Sequence, residues 1–223
     1  MSLLGKAVVA IWNDILPEGR ADFIEWHNRE HMPERVAIPG FRRGRRYVAA
    51  YGSPQYYTLY EADDDRVLTG ADYLERLNNP TPWTRQATQA FRNTSRGICR
   101  VAFSQGCGEG GSILTLRFDS EPGREAALER DLTDRMLPPL LRVEGVCGVH
   151  LCIADRSASD VETAERKGRK VGIPAWIVMV EASDPAAADK ACDMLVAGGL
   201  ETAGAAEGFE RGLYALQFCR GKA

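Results

Sequence analysis

The 223-residue chain repeats its own pattern, and that repeat limits its folding options more than any other feature. The strand-like run AVVAIWND (7–14) leads into a helical stretch from about Arg20, then IPGFRRGRRYVAA and YYTLYEAD. The same order returns in SILTLRFD (112–119), a helical stretch from Arg124, VEGVCGVHLCIAD and AWIVMVEASD. Ile113 stands 105 positions after Val8, as Pro138 does after Pro33 and Gly145 after Gly40, so first strand, first helix and the following turn align without a gap. Glu181 stands 120 positions after Glu61, which leaves fifteen extra residues after the second strand of copy two; RGLYALQF then matches RGICRVAF at an offset of 115.

Each copy reads strand, helix, strand, strand, helix, strand, the ferredoxin-like βαββαβ order. Such a unit has an antiparallel sheet with helices on one face and an apolar surface left bare on the other, which is costly in water. The expected α+β fold is therefore two tandem ferredoxin-like βαββαβ units whose antiparallel sheets pack face to face as an internal dimeric α+β barrel. The glycine- and serine-rich SQGCGEGGS (104–112) sets the boundary, giving units 1–108 and 109–223.

Charge narrows the partners. The 28 basic and 31 acidic side chains leave a net charge of −3, without the basic excess that a nucleic-acid or anionic-membrane partner brings. No apolar stretch reaches the roughly 18 to 20 residues needed to span a bilayer. Cys99, Cys107, Cys147, Cys152, Cys192 and Cys219 form no CxxC pair and read as reduced thiols. The opening MSLLGKAVVAIWND reads as a first strand, not a signal peptide, so a cytoplasmic protein is expected.

Two of the chain's three histidines, His27 and His31, sit in HNREH, which matches the H-x-x-E-H spacing of a zinc helix. The repeat supplies a comparison: Phe23, His27 and His31 stand where copy two has Leu128, Leu132 and Met136, an apolar helical stripe that packs on a sheet. The histidines should therefore point inward, sharing one surface with Trp26 and Glu30. Burying such groups costs several kcal/mol unless they are paired or border a cavity. Pro33 lacks an amide hydrogen and disfavours helical geometry at Met32, so the helix should end or kink just after His31. Three readings stand open: satisfied core histidines, a metal site that would need a third ligand, or a polar cleft with acid–base groups.

The segment WHNREHMPERVAIPGFRRGRRYVAAYG, followed by LNNPTPWTR, resembles the dimeric α+β-barrel superfamily, and within it bacterial proteins of the EthD-like group. The resemblance covers Trp26 to Arg85. His31, Glu30, Glu34 and Arg35 match the group's pattern, whereas His27 stands where that pattern has tyrosine. The superfamily contains cofactor-independent monooxygenases, isomerases, cyclases and haem-dependent enzymes, so fold narrows function little. What the resemblance implies is a cleft between helices and sheet for a small ligand.

The remaining candidates follow from residue chemistry. Strand alternation sends Arg43, Arg45 and Tyr47 of RRGRRY one way and Arg42 and Arg46 the other. The first set is expected to bind a ligand carboxylate or phenolate, which guanidinium suits, with Trp83 closing one end of the cleft. The expected site thus has His31 as proton donor or acceptor, Glu30 orienting it, and His27, Trp26, Arg43, Arg45, Tyr47 and Trp83 contacting a small, aromatic or carbonyl-containing ligand. No metal or cofactor is required, and a homodimer is expected. The rival readings are a non-catalytic binding or assembly module with structural histidines, and a metal-dependent enzyme using the H-x-x-E-H turn. The polar insertion 155–172 reads as a loop, a lid or a dimer contact.

Overall fold

The computed structural model describes residues 3–160, 163–165 and 172–222. In chain order the elements are β1 (Ala7–Ile15), α1 (Arg20–Trp26), a π-helical turn (His27–His31), α2 (Met32–Ala37), β2 (Phe41–Tyr51) and β3 (Tyr56–Ala62). Helices α3 (Asp65–Thr69), α4 (Ala71–Asn78) and α5 (Pro82–Ala87) lead to β4 (Phe91–Gly106). The chain continues with β5 (Ser112–Phe118), α6 (Glu125–Asp131), a second π turn (Leu132–Met136), a 3-10 turn (Pro138–Arg142) and β6 (Val146–Ala154). Then come α7 (Arg156–Ser159), β7 (Trp176–Ala182), α8 (Pro185–Ala197), α9 (Leu200–Ala203) and β8 (Glu210–Gly221). No helix among the described residues is long and apolar enough to cross a membrane.

The eight strands close into one antiparallel barrel in the order β4-β1-β3-β2-β8-β5-β7-β6. Each run of four places its first strand between its fourth and third. The two sheets do more than face each other as expected: β2 pairs with β8 and β4 with β6, so no edge is left open. β1, β3, β5 and β7 are buried along nearly their whole length, one face in the barrel and the other under helices, which is why they read as nearly continuous apolar runs. Along β1, Val8, Ala10 and Trp12 point into the barrel, packed with Tyr47, Tyr57, Ile113 and Met179. The alternate Ala7 and Val9 join Met32, Val36, Phe41 and Tyr60 in a layer beneath the helices.

Three backbone devices recur at the 105-residue offset. The first bears on the helix end or kink expected just after His31: the helix does not end there. The chain stays helical to Ala37 because the turn before Pro33 widens: Met32 N–H bonds the His27 carbonyl, five residues back. Pro33 has no N–H to give to the carbonyl four residues earlier, and the wider π turn accommodates that loss without ending the helix. Before Pro138 the Leu137 N–H bonds the Leu132 carbonyl in the same way. The second device is glycine at positive φ before β2 and β6, +88° at Gly40 and +87° at Gly145, where a side chain would be strained.

The third is a bulge at the start of β2, where Phe41 and Arg43 oppose the adjacent residues Ala62 and Glu61. Val146 and Gly148 do the same against Ala182 and Glu181. A bulge lets two residues oppose one, so facing switches at that point. Phe41 lies under the helices, but Arg43 and Arg45 point into the barrel.

The described part of the 155–172 insertion docks on the first half. The Arg96 N–H bonds the Gly172 carbonyl at 2.8 Å, the Ile98 N–H bonds Ser159 Oγ at 2.9 Å, and the Glu165 N–H bonds the Leu77 carbonyl at 3.0 Å. Residues 161–162 and 166–171 of the insertion lie outside the described residues.

Candidate functional site

Between α1–α2 and the outer face of β1, β3 and β4 lies a chamber of about 50 Å³. Trp26, His27, His31, Arg35, Tyr60 and Arg96 line it, with Glu165 reaching in from the insertion. A neighbouring vestibule of about 270 Å³ shares Phe91 and Glu165 with the chamber, so these two side chains stand between the spaces.

The π turn presents both histidines inward, as the comparison of the two copies predicts. His27 and His31 are both buried, and their rings stack with centroids 5.5 Å apart. His27 uses both ring nitrogens: Arg46 Nη1 lies 3.0 Å from Nδ1 and the Tyr60 hydroxyl 3.1 Å from Nε2. Burial, with the positive charges of Arg46 and Arg35 added, holds its pKa well below the usual histidine value. Burial also raises the pKa of the Tyr60 phenol. His31 packs against Trp26 with ring centroids 4.3 Å apart. Arg35 is 3% exposed, pairs with Glu165 and lies over the Tyr73 ring. Arg96 donates to the Tyr73 hydroxyl at 2.9 Å.

Of the residues expected at the site, the structure brings His27, His31 and Trp26 together and places the others elsewhere. The carboxylate of Glu30 accepts from the Thr81 hydroxyl at 2.6 Å and the Thr84 hydroxyl at 3.4 Å. Thr84 Oγ1 in turn accepts from the Trp26 indole at 3.2 Å. Glu30 therefore positions α5 and Trp26, not His31. Trp83 bonds Asp22 at 2.9 Å and packs outside the chamber lining.

Arg43, Arg45 and Tyr47 lie inside the barrel because of the bulge after Phe41. Arg43 forks onto Glu61 at 2.8 and 2.9 Å. Arg45 forks onto Glu181 at 3.0 and 3.0 Å and reaches Glu61 at 3.1 Å. Tyr47 stacks on Tyr57. The same parity switch turns Arg46, from the set passed over, toward His27.

Sequence reasoning missed Arg35, Arg46, Tyr60, Arg96 and Glu165 as contributors. A signal was present for most of them. Extending the repeat comparison along the chain, His27, His31, Arg35 and Arg46 stand 105 positions before Leu132, Met136, Leu140 and Leu151, and Tyr60 stands 120 before Val180. All five counterparts belong to one hydrocarbon core. Five polar side chains of the chamber are replaced together, while Arg96 keeps an arginine, Arg211, at its matching position 115 residues on.

As to metals, both nitrogens of His27 are engaged by Arg46 and Tyr60. Among the described residues, no group of three or more His, Cys, Asp or Glu side chains gathers where it could hold an ion. The H-x-x-E-H turn therefore does not fit a zinc triad in this conformation. The six cysteines are free thiols, and Cys99, Cys152 and Cys192 are buried.

No family model matches the chain, and no curated protein sequence matches it. Solved structures do. An anthrone oxidase-like protein superposes with a TM-score of 0.69 at 13% identity, over 97% of this chain and 93% of that one. A candidate monooxygenase of Fusobacterium nucleatum gives 0.62 at 10% identity, over 99% and 97%. A candidate chlorite dismutase gives 0.57 at 9% identity, over 96% of each. At such identities the likeness is one of architecture alone: the chain shares the overall fold of these proteins.

Proposed function

We propose that the chamber under α1–α2 binds a small organic molecule, and that the protein is a cofactor-independent enzyme performing acid–base chemistry on an aromatic or carbonyl-containing ligand. The observation that carries this reading is the wholesale exchange of His27, His31, Arg35, Arg46 and Tyr60 for hydrocarbon at the matching positions of the other half. Burying five polar side chains where apolar ones fold equally well costs stability. A cavity that uses them gives the cost a purpose.

The chamber alone, at about 50 Å³, is well below the roughly 300–1,000 Å³ of a small-molecule pocket, so the polar head of a ligand sits there and its body extends past Phe91 into the vestibule. His31 is the proton donor or acceptor, and Trp26 is part of the wall. The structural neighbours, an anthrone oxidase-like protein and a candidate monooxygenase, support chemistry on a small organic substrate. The EthD-like resemblance of Trp26–Arg85, the origin of the chain by tandem duplication at about residue 108, a cytoplasmic setting and a homodimer belong to the same proposal.

Replacing His31 with leucine tests it. Turnover should fall at least a hundredfold, the usual scale for a positioned acid–base group, while thermal stability stays equal or rises. Unchanged binding and turnover would leave a structural histidine in a non-catalytic module.

A further inference from the structure

We infer that Tyr60 is the group that donates a hydrogen bond to the acceptor atom of a ligand, a carbonyl oxygen above all, and that Arg46 is its positioning residue, acting through His27. This rests on the chamber being a ligand site, as proposed above.

Arg46 is the member of the chain of contacts that cannot change role. A guanidinium carries only donors, so at 3.0 Å its Nη1 must donate and His27 Nδ1 must accept. His27, held neutral by burial and by its cationic neighbours, then keeps its single proton on Nε2. That N–H donates to the Tyr60 oxygen at 3.1 Å. The phenol, kept protonated by burial, has its own hydrogen left over. Among the described residues no hydrogen bond takes it, and the Tyr60 side chain lines the chamber.

The surroundings favour the same assignment. Arg35 and Arg96 line the chamber and Arg46 lies behind His27, with Glu165 the one acidic side chain in the lining among the described residues. An acceptor oxygen that gains negative charge is stabilised by such a field.

Without Arg46 the imidazole can place its proton on Nδ1 instead. Nε2 then accepts from the Tyr60 hydroxyl, and the chamber is offered a lone pair where it had a donor. Arg46 thus sets the hydrogen-bonding polarity of the chamber without touching the ligand. Leu151, Leu132 and Val180 hold the matching positions of Arg46, His27 and Tyr60 in the other half, where no such relay is possible.

Two measurements on the full-length protein test this. With only three histidines in the chain, ¹⁵N-histidine NMR reads the His27 tautomer directly. Neutral Nε2–H is expected in the wild type at pH 7, retained in Arg46→Lys and lost to a mixture in Arg46→Met. Second, acetophenone and α-methylstyrene have nearly the same shape and differ in the acceptor oxygen. Wild type should bind acetophenone about tenfold tighter, the scale of one hydrogen bond. Tyr60→Phe and Arg46→Met should abolish the preference, and Arg46→Lys should keep it.

An Nδ1–H or doubly protonated His27 at pH 7 in the wild type, or a preference that survives Tyr60→Phe, overturns the inference while leaving the chamber reading intact. The expected tautomer with neither probe bound at millimolar concentration overturns the chamber reading, and this inference with it. If Arg46→Met does not fold, the wild-type tautomer and Tyr60→Phe still decide.

Discussion

Replacing Arg45 with methionine separates the structural reading of β2 from the ligand-binding role that its arginines suggest in the sequence. Arg45 is 1% exposed and makes two contacts of 3.0 Å to Glu181 and one of 3.1 Å to Glu61, both carboxylates fully buried. After the substitution Glu61 keeps the fork of Arg43, but among the described residues Glu181 keeps only His150, at 3.3 Å. An uncompensated buried charge of this kind costs about 3–5 kcal/mol, a large part of a typical folding free energy. The loss should depend on pH in a definite direction. Burial pushes the Glu181 pKa up, but hydrogen bonds and charge from His150 and Arg45 outweigh it and hold it at about 2. A depressed carboxyl pKa contributes stability that is full above the unfolded value near 4.5 and lost as pH falls toward 2. The variant lacks most of that contribution, so its deficit should be greatest at neutral pH and shrink below about pH 4.5. Adding Glu181→Leu to Arg45→Met should restore more than half of the loss, because removing both charges avoids the unpaired one. Urea unfolding followed by tryptophan fluorescence measures all three. A loss under about 1 kcal/mol at pH 7.5, below the range for a broken buried pair, together with weaker acetophenone binding, would refute the reasoning and return Arg45 to the ligand site.

Other perturbations probe the remaining layers. His27 is held neutral when folded, while in the unfolded chain it takes up a proton near pH 6.5. Stability should therefore be flat above that pH and fall below it, by up to about 1.4 kcal/mol per pH unit; His27→Gln should flatten that slope in urea titrations between pH 5 and 7, and an unchanged slope would contradict the neutral assignment. Leu132→His places an imidazole at the matching position of the other half, where Leu151 and Val180 supply no partner. It should cost about 2–5 kcal/mol in chemical denaturation, and a loss below about 1 kcal/mol would show that the second half tolerates polarity as readily as the first. Gly40→Ala adds a Cβ at φ +88° that would come within 2.4 Å of Val67 Cγ2. A melting-temperature drop corresponding to at least about 1 kcal/mol is expected, whereas no drop would mean that the turn before β2 can relax.

How much was legible follows from which interactions repeat. Element order and the inward aim of His27 and His31 could be read because both depend on residue patterns preserved at an offset of 105. That the helix is disturbed at Pro33 follows from its missing N–H, but whether it ends or continues stays open in the sequence, which does not announce that the turn before it will widen. The ligand-facing arginines were misassigned because strand alternation was read with no knowledge of the bulge after Phe41, and an extra residue in one strand reverses every facing beyond it. Glu30 was paired with its sequence neighbour, His31, when the threonines that claim it lie more than fifty positions away. Each miss lies where a local pattern is overridden by a contact distant in sequence or by one irregular backbone step.

The closed barrel also explains where a polar chamber could arise. Its interior is filled by aromatic and aliphatic side chains and by the Arg43, Arg45, Glu61, Glu181 and His150 cluster, so the spaces under the helices are the alternative sites. One half fills that space with Leu132, Met136, Leu140, Leu151 and Val180. Deleting a single large aliphatic side chain from such a core costs about 2–5 kcal/mol, so that layer is a substantial reserve of stability. The chain holds two layers of the same architecture, and keeping one apolar lets the other carry buried polar side chains that would strain a single unit of about half the length.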